Sequence, residues 1–257
     1  MRKLTLIAIG VAGVIALTVA VPVVAIYVSF ARTVRIQDEL EVVPGVRTVK
    51  ESFVASYIVD AGPGKVVLVD AGIYPAAKPI LAELARRHLG AEAVAAILLT
   101  HGHSDHAAGA AAFPSGAVAV LEPDVALAEG RAGSRSPLGR FVGVKPTGVK
   151  IARVLRDGET VRIGKAVFRV FAVPGHTPGS AAFLVKGALL LGDSADALRT
   201  GKMAGAKWIF SEDLAQNHAS LKALAAKLKP LQVKAIAFAH SGPLQGLQPL
   251  LDFAAAP

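Results

Sequence analysis

Residues 4–31 form 28 consecutive positions without a charge, nearly all of them apolar. A helix needs roughly 20 apolar residues to cross the hydrocarbon core of a bilayer. The apolar core of a cleavable signal peptide is only about 7–15 residues. The run therefore predicts an uncleaved membrane-spanning anchor, with Pro22 tolerable inside it, and divides the chain into an anchor over 1–35 and a globular domain over 36–257. Past Arg35 the pattern changes to short apolar runs separated by glycine-marked polar loops. Residues 53–59 and 65–70 read as strands around the turn signal Ala61-Gly62-Pro63-Gly64, which predicts a hairpin. Val66 to Val69 are apolar on successive positions, as in a strand covered on both faces. Residues 76–88 have helical periodicity, with Ile80, Leu81, Leu84 and Leu89 on one side.

The pattern continues with a buried strand at 95–99, a short helix over 105–112, a strand at 117–121 and a short helix over 123–129 with proline in its first turn. Residues 130–150 make a long segment rich in glycine, proline and cations: Arg131, Arg135, Arg140, Lys145 and Lys150. Segments of this kind are functional or disordered, so this one reads either as a lid against an anionic substrate or as a solvated basic loop. Residues 151–173 read as strands about an Asp157-Gly158 turn, which predicts antiparallel pairing. A second hairpin is expected about Lys186-Gly187, then a helix over 211–229 with Ser211 and Asp213 as cap candidates, and a last buried strand over 233–239. Strand groups and helices interleave twice, which predicts an α+β fold of two packed sheets with helices outside.

Composition narrows the chemistry. The 257 residues suffice to bury a core without covalent staples, and there is no cysteine. Disulfides, thiolate metal sites and cysteine nucleophiles are excluded, so any metal must be held by nitrogen and oxygen. The formal charge is +9; the first 35 residues hold four basic and no acidic groups, which leaves a net +5 beyond them. With no basic stripe carrying interleaved aromatics, no nucleic-acid partner is expected; a small-molecule substrate, anionic or near an anionic membrane, fits the charge. Arg2 and Lys3 flank one end of the apolar run, Arg32 and Arg35 the other, so the positive-inside rule nearly ties. The expected arrangement is a single-pass membrane protein with its N-terminus in the cytoplasm and its globular domain extracytoplasmic.

Three of the seven histidines fall in Thr100-His101-Gly102-His103-Ser104-Asp105-His106, on a predicted strand-to-helix loop. Imidazole and carboxylate are ligands that zinc prefers. Asp70, His101, His176, Asp193 and His240 each follow an apolar strand run with a glycine close by: within three residues after Asp70, His101, His176 and His240, and immediately before Asp193. Five strands thus deliver a ligand-type residue to what reads as one edge of a sandwich.

These residues resemble the metallo-β-lactamase superfamily, especially its glyoxalase II-like hydrolases, over about residues 40–245. His101, His103, Asp105 and His106 match the signature His-x-His-x-Asp-His; His176 matches the histidine after a Pro-Gly turn, Asp193 the bridging aspartate and His240 the last histidine. The resemblance implies a four-layer αβ/βα sandwich behind the N-terminal transmembrane helix. It also implies one zinc on His101, His103 and His176, a second on Asp105, His106 and His240, with Asp193 bridging; iron or manganese are the alternative metals. Asp70 would support the histidine loop from behind the ligands. Two metals roughly 3.5–4 Å apart clamp a hydroxide of pKa about 7, which Asp105 would orient for attack.

The expected function is a membrane-anchored binuclear zinc hydrolase acting on a small ester, thioester or lactone. The alternatives are a phosphodiesterase, a β-lactamase, an iron-dependent sulfur dioxygenase, or a non-catalytic metal-binding module. Glyoxalase II carries a helical C-terminal domain for glutathione, whereas 17 residues follow His240, so glutathione-thioester hydrolysis in that manner is not expected. His88 and His218 read as structural, Tyr57 and Tyr74 as packing residues within reach of the cleft, and the loop of Lys202, Lys207 and Trp208 as a substrate loop or a solvated one.

Overall fold

Two mixed sheets stand face to face in the computed structural model, which describes residues 20–256 apart from Pro22, Ala25 and Lys145. The first sheet has the order β1 (Glu41–Val43), β2 (Val46–Glu51), β3 (Val54–Gly62), β4 (Lys65–Val69), β5 (Val94–Leu98), β6 (Ala117–Leu121) and β7 (Arg153–Leu155). The second has the order β15 (Leu244–Gln245), β14 (Ala235–Ala237), β11 (Ala188–Leu190), β10 (Ala181–Val185), β9 (Ala166–Ala172) and β8 (Thr160–Ile163). A small ribbon pairs β12 (Ala195–Ala197) with β13 (Met203–Gly205). The labelled helices are α1 (Lys78–Arg86), α2 (Ser104–Ala107), α3 (Val125–Ala128), α4 (Gly139–Val142), α5 (Leu214–Leu228) and α6 (Gln248–Ala255).

The alternating direction of strand side chains builds the layers. In β3, Tyr57 and Val59 enter the apolar core between the sheets, whereas Ile58 packs with Ile80 and Leu84 of α1 on the outer face. In β10, Phe183 joins the inter-sheet core and Leu184 packs with Leu221 and Leu224 of α5. Three apolar clusters thus hold four layers together, helix, sheet, sheet and helix, as the sequence pattern predicts. Strands β4 to β7 run parallel, with α1 as the crossover between β4 and β5, and β11 runs parallel to β14 with α5 between them.

Several expectations are corrected. The Asp157-Gly158 turn does not close a hairpin: β7 pairs parallel with β6 in the first sheet, while β8 belongs to the second. Turn residues encode a reversal of the chain but not which sheet receives the next strand. The hairpin lies one turn later, at Gly164-Lys165 between β8 and β9. Asp213 alone caps α5, its carboxylate accepting from the Gln216 amide at 2.8 Å; the Ser211 hydroxyl instead donates to the Lys207 carbonyl. The segment just before β1 is tied to the domain, since Thr33 bridges to Leu198 and Val34 donates to the Ala197 carbonyl at 2.9 Å.

The anchor expected over residues 4–31 lies mostly outside the described residues. Residues 26–31 are helical, and among the described residues no helix is long and apolar enough to cross a membrane.

Candidate metal centre

Parallel neighbours end at the same sheet edge, and this brings the strand-end residues together. Asp70 directly follows β4 and the histidine loop follows β5; the Asp70 amide donates to the Leu98 carbonyl at 3.0 Å. In the second sheet Asp193 follows β11 and His240 follows β14, and the turn after β9 carries His176. The two edges are tied across the sandwich: Ala181 N donates to Thr100 O at 2.7 Å, Ala55 N to Ala239 O at 2.8 Å, and the buried Tyr57 hydroxyl to Phe238 O at 2.6 Å. The turn before Asp193 requires glycine. Gly192 has φ +54°, and a β-carbon there would lie 2.4 Å from Thr100 Oγ1.

Seven side chains converge at this edge. His101 Nε2, His103 Nδ1 and His176 Nε2 are 3.0–3.2 Å from one another. Beside them, His240 Nε2 lies 3.4 Å and His106 Nε2 lies 3.7 Å from Asp105 Oδ2. Asp193 stands between the groups: Oδ1 is 3.3 Å from His106 Nε2, and Oδ2 is 3.0 Å from His240 Nε2 and 3.6 Å from His176 Nε2. The same side chains form compact sets of potential metal ligands, His101 with His103 and His176, Asp105 with His106 and His240, and His101 with His106 and Asp193. All the residues of the expected constellation are therefore in one place.

Four of the five rings are held by their outward nitrogen. His101 Nδ1 meets Thr100 Oγ1 at 3.1 Å, His106 Nδ1 meets Asp70 Oδ2 at 2.8 Å, His176 Nδ1 meets Ser211 Oγ at 3.1 Å, and His240 Nδ1 meets the Phe53 carbonyl at 2.9 Å. Each restraint turns Nε2 inward, the arrangement expected of metal-ligating imidazoles. Asp70 has φ +59° and also accepts from the Thr100 amide at 2.7 Å, so it holds the backbone of the histidine loop as well as the His106 ring.

The electrostatics divide the site. Burial, reinforced by neighbouring imidazoles, pushes His101 and His103 below the ordinary histidine value and His176 down to about 3. Burial opposes protonation of His240 as well, but the charge of Asp193 and the contact with Asp105 outweigh it and push this imidazole up to about 10. His106 is raised well above 6.5 against its burial by Asp193, Asp105 and Asp70. Both Asp105 and Asp193 are lowered despite burial, by the facing imidazoles.

These residues fit a cation centre. His106 Nε2 and Asp193 Oδ1 are buried without a hydrogen-bond partner, a costly condition for polar atoms unless something else satisfies them. Three neutral imidazoles with nitrogens pointed at a common place also lack the donors to satisfy one another.

The sequence reading missed two supports. Asp124, fully buried, accepts from the Gly102 amide at 2.7 Å, the Thr177 hydroxyl at 2.7 Å and the Gly179 amide at 2.8 Å. It ties the histidine loop to the turn carrying His176. A carboxylate between apolar runs was visible at this position, but its partners lie 22 to 55 residues away. Ser211 is the other. The remaining candidates lie apart: His218 packs on Phe253 at 4.9 Å, Tyr57 serves the core, and Tyr74 and Trp208 are half-exposed.

A cleft of about 870 Å³ opens over His103 and Asp105. Its walls come from residues 26–30, from α3, from the 130–147 segment and from Phe210. Among the described lining residues none is lysine or arginine. Of the cations in the 130–150 segment, Arg131 pairs with Glu129 at 2.7 Å, Arg135 with Glu212 at 2.9 Å, and Arg140 donates to the Arg135 carbonyl at 2.8 Å.

Comparison with known proteins agrees with this geometry. Residues 49–240 match the family model of the metallo-beta-lactamase superfamily. A hydroxyacylglutathione hydrolase of Xanthomonas axonopodis pv. citri (strain 306) is 35% identical over 143 residues, covering 56% of this chain and 47% of the relative. One from Chromohalobacter salexigens is 34% identical over 163 residues, covering 63% and 52%. The chain thus spans about half the length of the curated relatives it matches. Among solved structures, a B3 metallo-beta-lactamase with an active-site glutamic acid has a TM-score of 0.63 at 21% identity, covering 87% of this chain and 86% of that one. A metallo-beta-lactamase family protein from Thermus thermophilus has a TM-score of 0.60 at 25% identity, covering 83% and 79%.

Proposed function

The chain belongs to the metallo-beta-lactamase superfamily, and from that premise we propose that it is a binuclear zinc hydrolase acting on a small ester, thioester or lactone, held to a membrane by residues 4–31. The observation that carries the reading is the place of Asp193, whose two oxygens face His106 on one side and His240 and His176 on the other. One carboxylate shared by two histidine groups is what a two-metal centre needs. In this reading His101, His103 and His176 hold one zinc, Asp105, His106 and His240 the other, and Asp193 serves both. Bound zinc supplies Lewis acidity towards the substrate oxygen and water acidic enough to ionise near neutral pH.

The protein's own groups do the rest. Asp105 lines the cleft floor and orients the attacking water from there. Asp70, Ser211 and the Phe53 carbonyl keep three imidazoles in the tautomer that presents Nε2. The apolar walls exclude bulk water, which strengthens each electrostatic contact inside. The membrane part of the proposal is supported by the length of the uncharged run alone.

Metal analysis of the whole chain purified in detergent tests the reading, together with a panel of lactones, thioesters, β-lactams and phosphodiesters. The expected result is two zinc equivalents per chain and turnover of carboxylic esters, thioesters or lactones. Less than one equivalent, or iron alone, overturns the two-zinc centre, and turnover confined to phosphodiesters or β-lactams overturns the substrate class.

A further inference from the structure

The cleft above the metal centre has a character that the reaction alone does not require. Its floor holds His103 and Asp105, so it is continuous with the reacting centre, and its walls include Ile26, Phe30, Leu127, Leu138, Val142 and Phe210. Its volume of about 870 Å³ lies at the upper end of the roughly 300–1,000 Å³ usual for ligand sites. A polar thiol or a phosphorylated leaving group would be matched by cations, and the described lining offers none. Lys207, beside this wall, has its ammonium 4.7 Å from the Phe30 ring centre and is paired with the buried carboxylate of Asp196. That pairing neutralises the charge and leaves Phe30 as an apolar wall. Phe30 is fixed further by edge contacts to His240 at 5.9 Å and Phe210 at 6.4 Å.

We propose that this cleft is a subsite for the apolar acyl chain of the substrate, so that the protein hydrolyses esters or thioesters of medium- to long-chain carboxylic acids. The proposal rests on the hydrolase reading above and names its substrate class. In the reaction the acyl carbon–oxygen or carbon–sulfur bond breaks, the oxygen of water forms the new bond to that carbon, and the leaving alcohol or thiol takes the proton released from water. No oxidant or reductant is needed. The alkyl tail lies between the residue 26–30 wall and α4, and each methylene buried there favours the complex about fourfold, equivalent to about 0.8 kcal/mol.

Two measurements on the whole chain in detergent test it. In the first, a diazirine-bearing decanol, which has no carboxylate to seek the metal site, is photolysed with the protein, and labelled peptides are mapped by mass spectrometry. Labelling concentrated in residues 26–30, 127 and 138–142 and competed by decanol is expected; labelling spread elsewhere, or not competed, overturns the subsite. In the second, p-nitrophenyl acetate, butanoate, hexanoate and octanoate are compared in the wild type and in Leu138→Trp and Val142→Trp. The wild type should gain at least about tenfold in kcat/KM from acetate to octanoate, and both variants should lose that gain while keeping acetate hydrolysis, because partition into detergent is the same for all three proteins. A flat series in the wild type, with acetate well hydrolysed, removes the subsite and leaves the hydrolase standing. Competed labelling in the cleft with no ester hydrolysed removes the hydrolase reading and leaves the subsite.

Discussion

Asp70 Oδ2 lies 2.8 Å from His106 Nδ1, with both side chains buried, although 36 residues separate them in the chain. The same carboxylate accepts from the Thr100 amide and hydroxyl, so one residue sets both the backbone of the histidine loop and the tautomer of a ring within it. Asp70→Asn keeps the shape but loses the charge. Zinc affinity should fall about 10- to 100-fold with the far-ultraviolet circular dichroism unchanged; competition against a chromophoric chelator reads this, and unaltered affinity would remove the bracing role.

Asp193→Ala takes away the carboxylate shared by the two histidine groups. Ester hydrolysis should disappear while the fold persists, since the residue sits at the end of a strand and not in the core. Retained turnover would refute the shared role.

Asp124→Ala strands two backbone amides on different ligand loops and takes one partner from the Thr177 hydroxyl, which keeps Ser180 at 2.8 Å. At about 1–3 kcal/mol for each buried unsatisfied group, the metal-free chain should lose about 2 kcal/mol or more against urea. Asp124→Asn, which keeps an acceptor, should recover part of it. A loss below about 0.5 kcal/mol would mean that the two loops are held by other contacts.

Protonation couples to stability in opposite directions within the site. His240, at about 10, and His106, also raised, bind protons more tightly folded than unfolded; their contribution is complete below pH 6.5 and fades as pH climbs towards 10. His176, at about 3, stays neutral while the unfolded chain takes up protons, so stability also falls from pH 6.5 towards 3. Chemical denaturation of the metal-free protein should therefore show a maximum near pH 6.5. A midpoint that rises steadily to pH 9 would contradict this assignment. Zinc binding at pH 7.5 should release protons, measurable by calorimetry in buffers of different ionisation enthalpy.

If residues 4–31 anchor the chain, it should stay in the membrane pellet through alkaline carbonate extraction and be released only by detergent. Release by carbonate alone would exclude a spanning helix.

Much of this is legible in the sequence. The strand-end rhythm of Asp70, His101, His176, Asp193 and His240 marks a single edge because short apolar runs followed by glycine encode local geometry: a strand, its end and a turn. Asp213 as a cap and the Lys186-Gly187 hairpin were legible for the same reason, since a cap or a two-residue turn depends only on residues a few positions apart. What depended on distant partners was not. The Asp157-Gly158 turn leads into the other sheet, Ser211 holds His176 across 35 residues, and Asp124 joins two loops through groups up to 55 residues away. The pairing of the cations in residues 130–150 was likewise not legible, because Glu212, which pairs with Arg135, belongs to another part of the chain.

The histidine loop and its downstream partners, read as ligands by type and order, are thus a property of the sequence itself, because metal-ligand chemistry resides in the residues. Tertiary structure decided how these ligands are held and what lies above them. The parallel pairs β4–β5 and β11–β14 bring strand ends to one edge, distant side chains fix the tautomers, and apolar residues as far apart as Phe30, Leu127, Leu138 and Phe210 line one cleft. Those outcomes follow from packing, which acts between groups that no local pattern connects.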